Sequence, residues 1–232
     1  MNFSIMVFFN LFLFSLMLTS TTVFTNSIDF YKLSIQWGRS TCSNGQTRCP
    51  TPLPPSVDKK FTIHGLWPQD AMDDPIDPYT VTHPCIPTAP TPSTQLQNLL
   101  GPLRPNLDTE WPDLKNPLDH NANLQFWERE WNKHGTFGRA YPILNLAPEK
   151  KYKVQDVIKL VKRLTGGKPE IACNVNRTTK LVQLWEIRLR YHKPDPQGLV
   201  HLIRDCPFQL SHNSGGRAKA PCRNMNQKII VP

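Results

Sequence analysis

Apolar and polar residues alternate strictly in the segment DFYKLSIQW, residues 29–37. Apolar side chains occupy every second position from Tyr31 onward, and the positions between them hold Lys32, Ser34 and Gln36. A period of two is typical of a strand with one face in the core and one in solvent. We therefore predict a half-buried strand over this segment.

A second strand is predicted over residues 60–64. Phe61 and Ile63 share one side of this segment, whereas Thr62 and His64 share the other. Because successive side chains of a strand point to opposite faces, we expect His64 to point away from the side that the apolar pair buries. The segment between the two strands, STCSNGQTRCPTPLPP, is rich in turn residues and predicts a loop.

Three later segments have the pattern of helices. One begins near Thr94, after a Pro- and Asp-rich stretch over 70–92 that predicts a long surface loop. NANLQFWEREWNKHG predicts a second helix that ends at Gly135, and KVQDVIKLVKRLTGG predicts a third that ends at Gly166. The apolar stripe of the third helix consists of Val154, Val157, Ile158, Val161 and Leu164.

The last third of the chain returns to strands in LVQLWEIRLRYH, GLVHLIRDC and KIIVP. Strands and helices do not alternate regularly, and no internal repeat or linker divides the chain. The order favours an α+β fold in which a mostly antiparallel sheet packs against several helices. A single domain over 26–232 is long enough to bury its own core.

The first 25 residues predict a secretory signal peptide. They are almost wholly apolar from Ile5 to Leu18 and are followed by small and hydroxyl residues. The apolar run is short for a membrane span, although an N-terminal anchor helix is the alternative. We therefore expect an extracellular protein without stable membrane association, in which the sequon at Asn176 is usable for glycosylation.

Composition narrows the class of protein. A formal charge of +9 favours a polyanionic partner, such as RNA, acidic wall polysaccharide or anionic lipid. The six cysteines fit disulfides of an exported chain, and Cys42 and Cys49 are close enough to close the predicted loop. Their spacings contain no CxxC pair, so we predict no metal site and no cofactor.

The second predicted helix carries a cluster of titratable groups at its end. Glu130, Lys133 and His134 are three and four residues apart and therefore share a face. Trp127 and Trp131 beside them are expected to pack. Taken alone, such a face is more often an exposed salt-bridge cluster, and a single strand histidine such as His64 is more often structural than catalytic.

Two sequence segments taken together give a more specific indication of function than the single residues do. FTIHGLWPQ and FWEREWNKHGT resemble the two active-site segments of the ribonuclease T2 family of secreted, metal-independent endoribonucleases. The similarity continues through PEIACN, LIRDCPF and the terminal KIIVP, and the basic charge is similar to the plant S-ribonucleases of self-incompatibility. The resemblance implies an RNA substrate, a monomer, and a pollen-side recognition protein as a further partner.

The resemblance also implies roles for individual residues. His134 would be the general base that takes the 2′-OH proton, and His64 the general acid that protonates the 5′-oxygen. Histidine titrates in the range that both roles need. Lys133 would stabilise the charge on the phosphorane, Glu130 would position this cluster, and Trp67 would offer a face for base stacking.

Further substrate contacts are expected at Gln36, Gln69 and Arg129. The family often has an acidic residue where this chain has Gln69, so base preference does not carry over. It commonly has a third histidine where this chain has Arg129, which keeps a positive charge but does not titrate near neutrality.

The resemblance implies the disulfides Cys42–Cys49 and Cys173–Cys222. It also implies cysteines at two positions where this chain has Phe137 and Arg190. Their partners, Cys85 and Cys206, are present, and we predict that both are unpaired. A missing disulfide typically costs about 2–5 kcal/mol of stability.

Other functions stay open at this stage. A catalytically weakened relative could act by binding RNA or protein, and a secreted ribonuclease could serve defence or phosphate scavenging. A metal-dependent hydrolase would use His64, Glu130 and His134 as ligands, and a basic wall protein would cleave nothing. In a self-incompatibility protein, the loop over 69–92 and the helix after it would be the recognition region.

Overall fold

In the computed structural model, the described residues are 28–77, 93–134, 148–193, 203–207, 210 and 222–232, without the side chains of residues 93, 94 and 134. Within them the strands are β1 (Phe30–Trp37), β2 (Phe61–Gln69), β3 (Lys150–Lys153), β4 (Glu170–Val175), β5 (Val182–His192), β6 (Ile203–Arg204) and β7 (Lys228–Val231). The helices are α1 (Gly38–Ser43), α2 (Ser93–Leu100), α3 (Arg104–Glu110), α4 (His120–His134) and α5 (Val154–Thr165). The predicted signal peptide, most of the predicted 70–92 loop, Cys85 and Phe137 lie outside the described residues.

The strands form one sheet in the order β2-β1-β5-β7-β3, and β4 and β6 also pair with β5. The pairings are antiparallel except for β5 with β7, which is parallel. This confirms the predicted α+β fold with a mostly antiparallel sheet. None of the helices in the described part of the chain combines the length and hydrophobicity that crossing a bilayer requires.

The hydrophobic core lies between one face of the sheet and α5. Val154, Val157 and Val161 are almost completely buried there, as the predicted stripe requires. The helix ends at Gly166, whose positive φ of 87° suits a residue without a Cβ atom. Leu164 was predicted to extend the stripe, but it is 60% exposed, so the buried face stops one turn earlier.

The prediction that β1 is half-buried is wrong. Its polar positions Lys32, Ser34 and Gln36 are at most 6% exposed. β1 lies between β2 and β5, and its polar face is covered by charged side chains from β4 and β5 and by the turn after β2. A polar alternation therefore marks a buried polar layer here rather than a surface.

Local corrections concern short elements. The predicted loop after β1 begins with α1, and the disulfide Cys42–Cys49 follows it. A second disulfide, Cys173–Cys222, joins β4 to the segment that leads into β7. The strands β3 and β4 and the helix α3 were not predicted, because β3 consists of KKYK without apolar alternation and β4 is only six residues long.

Candidate active site

His64 occupies a β-bulge in the middle of β2. Ser34 of β1 pairs with Gly65 and the next residue, Ile35, pairs with Ile63, so His64 is the extra residue. A bulge redirects a side chain and is common beside active sites. Here the imidazole reaches a buried carboxylate on the polar face of the sheet, opposite the apolar core.

That carboxylate belongs to Glu186, which was not among the predicted site residues. Its Oε1 lies 2.6 Å from Nδ1 of His64, and its side chain is completely buried, whereas 32% of the His64 side chain is exposed. Glu186 itself follows a bulge in β5, because Ala172 pairs with Glu186 and Cys173 pairs with Leu184. The two bulges thus aim an acid and an imidazole at each other.

The pair has opposite pKa shifts. Burial, the largest contribution, lowers the pKa of His64, but the hydrogen bond that Nδ1 donates to Glu186 and the charges of Glu186 and Glu130 outweigh it and raise the pKa above its usual value. Burial likewise raises the pKa of Glu186, and the hydrogen bond and charge of His64 together with Arg188 bring it down to about 2. An ionised carboxylate therefore faces Nδ1, and the exposed part of the ring is the side that can meet substrate.

Helix α4 meets this strand through Glu130 and Trp67. The indole Nε1 of Trp67 donates to Oε2 of Glu130 at 3.5 Å, and the Trp67 ring stands edge-on to His64 with centroids 5.1 Å apart. Gly65 makes room for both, since a Cβ atom there would lie 2.5 Å from Trp67 Nε1 and 2.9 Å from Glu130 Oε2. Three of the predicted site residues, His64, Glu130 and Trp67, are thus brought together.

The backbone of His64 is held by Trp111, which is not among the predicted site residues. Its indole Nε1 donates to the carbonyl oxygen of His64 at 3.0 Å. The carbonyl oxygen of Trp111 in turn accepts from Nε1 of Trp127 at 2.6 Å. Trp127 is 1% exposed on α4, as its predicted packing role requires. No motif marks Trp111, which simply precedes a proline at the end of α3.

Other predicted site residues are placed less directly. Lys133 lies exposed in the last turn of α4, and His134 ends that helix four residues after Glu130, with its side chain outside the description. Arg129 is 59% exposed, and its Nη2 lies 3.8 Å from Oδ2 of Asp113. Its guanidinium therefore has a carboxylate partner on the protein.

The expectation that Gln36 and Gln69 present their amides to substrate is contradicted by their burial. Gln69 is 2% exposed and donates from Nε2 to the carbonyl oxygen of Pro68. Gln36 is 5% exposed and accepts from the hydroxyl of Thr41. Both side chains belong to the buried polar layer, because the turn after β2 and the neighbouring strands cover that face.

Position 190 holds an ion pair where the resemblance implies a cysteine. Arg190 is 4% exposed, and its Nη2 lies 2.6 Å from Oδ2 of Asp73. Its guanidinium also lies 4.3 Å from the ring centre of Phe30. Cys206 is buried, with its sulfur 3.8 Å from the carbonyl oxygen of Arg188. That Cys206 and Cys85 lack disulfide partners stays a prediction.

Two further features bear on the remaining predictions. Within the described ranges, no three His, Cys, Asp or Glu side chains are grouped as metal ligands would be. Asn176 lies partly exposed in the turn between β4 and β5, where its Oδ1 accepts from the backbone amides of Thr178 and Thr179. Glycosylation of this asparagine stays a prediction.

Comparisons with known proteins give a consistent result. The sequence profile of the Ribonuclease T2 family matches residues 28–143. Ribonuclease S-6 of Pyrus pyrifolia is 29% identical over 202 residues, which cover 74% of this chain and 80% of the relative. Extracellular ribonuclease LE of Solanum lycopersicum is 29% identical over 199 residues, covering 73% and 80%. The crystal structure of RNase NT in complex with 5′-AMP superposes with a TM-score of 0.60 at 23% identity, covering 89% of this chain and 98% of that one.

Proposed function

This chain belongs to the ribonuclease T2 family. We propose that it cleaves single-stranded RNA by transphosphorylation. The ribose 2′-OH attacks the adjacent phosphorus, the bond to the 5′-oxygen breaks, and a 2′,3′-cyclic phosphate remains. RNA supplies its own nucleophile, so the protein has to provide a base, an acid and stabilisation of the phosphorane. The family assignment makes the chain an endoribonuclease, and the residue roles below are our proposal.

The observation that carries the proposal is the pairing of His64 with the buried Glu186 at 2.6 Å, close to Glu130 and Trp67. A carboxylate at Nδ1 keeps the proton on that nitrogen of the neutral ring and stabilises the imidazolium. His64 is then suited to protonate the departing 5′-oxygen through Nε2. The raised pKa supports this role, because it keeps the acid form populated closer to neutral pH.

The base and the electrostatic group are proposed on α4. His134 follows Glu130 by one helical turn, and residues four apart share a helix face. His134 would accept the 2′-OH proton, and Lys133 would stabilise the negative charge that grows on the phosphorane oxygens. If the cyclic ester is then hydrolysed, the two histidines exchange roles.

The test is cleavage of a defined oligoribonucleotide in EDTA, with mass analysis of the product ends. We expect 2′,3′-cyclic phosphate ends that persist under chelation. H64A and H134A are each expected to lower kcat by about 10²-fold or more, the range for a lost acid or base. Activity that disappears with EDTA and returns with a divalent ion would contradict the proposal.

The biological role that we propose is self-incompatibility in the pistil, with secretion as its condition. It is supported by the match to Ribonuclease S-6 of Pyrus pyrifolia and by the charge of +9. The match to extracellular ribonuclease LE keeps defence or phosphate scavenging as the second candidate. Pistil-restricted expression and loss of pollen rejection after knock-down are expected for the first role. Expression induced by phosphate starvation in other tissues would favour the second.

A further inference from the structure

On the polar face of the sheet, behind His64, the guanidinium of Arg188 contacts two carboxylates. Arg188 of β5 donates from Nε and Nη2 to Oε2 of Glu186, at 2.9 and 2.8 Å. It donates from Nη1 to Oε1 of Glu170 on β4 at 2.8 Å. Glu186 uses its other oxygen for His64. Arg188 thus connects the carboxylate at the imidazole to a second strand of the sheet.

Beyond Glu170 the ion pairs continue, and the side chains alternate between positive and negative charge. Oε2 of Glu170 lies 3.4 Å from Nζ of Lys32, which lies 2.6 Å from Oδ1 of Asp73. The other oxygen of Asp73 pairs with Arg190. We call the resulting series the charge row, and its members in order are His64, Glu186, Arg188, Glu170, Lys32, Asp73 and Arg190. Each interior member has an opposite charge on both sides, which offsets the cost of burial.

The geometry of Arg188 matters as much as its charge. A lone buried carboxylate would take up a proton, but the pKa of Glu186 stays at about 2 beside His64 and Arg188. The guanidinium is a rigid planar fork, so it fixes Oε2 of Glu186 and leaves Oε1 aimed at His64. An ammonium at the end of a flexible chain would supply the charge without this constraint.

We propose that Arg188 is a positioning residue for His64: it fixes the Glu186 carboxylate that orients the imidazole, and Glu170 in turn fixes Arg188. The catalytic part of this inference rests on the proposed function. The orientation of the ring does not, because its tautomer is measurable without substrate. Among the described residues, the charged groups that influence His64 are Glu186 and Arg188 from β5 and Glu130 from α4.

The first variant is R188K, which keeps the charge and removes the fork. We expect kcat to fall about tenfold with KM changed less than about twofold, because misplacement of a reacting group acts on the transition state. In ¹⁵N NMR of labelled histidine, the neutral His64 ring is expected to be protonated at Nδ1 in the unmodified chain and to become a mixture of tautomers in R188K. The pH profile of kcat/KM is expected to move with the pKa of His64.

The matched control is R204K on β6. Arg204 pairs with Asp29 at 2.8 Å and lies over Phe30, so it is a sheet arginine outside the charge row. It is expected to leave kcat, the pH profile and the His64 tautomer unchanged. A second variant, E170Q, removes the outer partner of Arg188 and keeps Arg188 itself. Its effects should have the same direction as those of R188K and be smaller.

The outcomes separate the two proposals. If R188K and E170Q behave like R204K in tautomer and in kcat, Arg188 has only a structural role and the inference is wrong. If R188K fails to fold, the tautomer and kcat of E170Q decide. If the unmodified chain cleaves no RNA and R188K still changes the His64 tautomer, the proposed function fails and the positioning of the ring stands.

Discussion

At the scale of single residues, His64 is fixed at both its ring and its backbone. Glu186 holds Nδ1 of the ring, and the indole of Trp111 holds the carbonyl oxygen. The β-bulge redirects the side chain of His64. Because a bulge interrupts the regular backbone hydrogen bonds between strands, this residue is held less firmly by its strand than its neighbours are. The two side-chain contacts supply the missing constraint, so the ring has one defined position.

Substitution of Glu186 should change the pH dependence of cleavage. E186Q keeps an acceptor for Nδ1–H but removes the charge that raises the pKa of His64. If His64 is the acid, the alkaline limb of the kcat/KM profile should move to lower pH by about one unit. A profile measured from pH 4 to 9 checks this, and an unchanged alkaline limb would show that another group is the acid.

The same pair should affect stability in a defined pH range. The raised pKa of His64 contributes stability that is present below its ordinary value of 6.5 and is lost as the pH rises through the raised value. The lowered pKa of Glu186 contributes stability that is present above its ordinary 4.5 and is lost as the pH falls towards about 2. The penalty of E186Q on unfolding should therefore be larger at pH 5.5 than at pH 9.

Gly65 should tolerate no side chain. A Cβ atom there would lie 2.5 Å from Trp67 Nε1 and 2.9 Å from Glu130 Oε2, so G65A must displace one of them. We expect kcat to fall by about tenfold or more, as for other misplaced site groups. The control is G101A, because a Cβ atom at Gly101 would meet nothing within 4 Å in the part of the chain that the structure describes. Equal activity of the two variants would show that the position of Trp67 is unimportant.

At the scale of elements, the site depends on how α4 is joined to β2. Trp127 of α4 donates to Trp111, and Trp111 donates to His64 on β2. Glu130 makes a second connection one turn later through Trp67. The helix with the proposed base and the strand with the proposed acid are thus connected in two places. The indoles of Trp111 and Trp127 make one connection, and Glu130 with Trp67 makes the other.

The turn after β2 is attached to the sheet by charge. Asp73 contacts Lys32 and Arg190, and its φ of 73° is one that asparagine adopts readily. D73N should therefore remove the charge without straining the backbone, and leave two nearly buried cations short of an anion. We expect the free energy of unfolding to fall by about 2 kcal/mol or more in urea titration.

The neighbouring exposed residue provides the matched control for that substitution. D74N makes the same charge change one position further on, outside the charge row, and should cost less than about 0.5 kcal/mol. If the two variants lose the same stability, the net charge of the turn matters and the ion pairs do not. If D73N costs nothing, Arg190 has no need of its partner.

At the scale of the whole molecule, periodicity predicted the elements that bury an apolar face. The stripe of α5 and the alternation of β1 are local signals, and both elements are present where expected. The burial of Lys32 and Gln36 was missed, because it depends on strands and a turn that are distant in sequence. Polar alternation alone does not distinguish solvent from a buried polar layer.

The site shows the same limit. His64 and Glu130 lie in long motifs, and they were predicted from those motifs. Glu186 lies 122 positions from His64 in the chain and belongs to a strand with no motif for a catalytic acid. Its role follows only from the pairing of β1 with β5 and from two bulges. Which residues of neighbouring strands lie side by side depends on the register of the strands, and this one sequence did not specify that register.

Whether His64 protonates the leaving group can be measured by varying that leaving group. In a nucleoside 3′-(4-nitrophenyl phosphate), the leaving group is 4-nitrophenolate, which departs with little protonation. In RNA the leaving group is the 5′-oxygen of the next nucleotide, which has to be protonated. We predict that H64A lowers kcat/KM for a dinucleotide by about 10²-fold or more and for the nitrophenyl ester far less, while H134A lowers both. Equal losses for H64A on the two substrates would contradict the assignment of His64 as the acid.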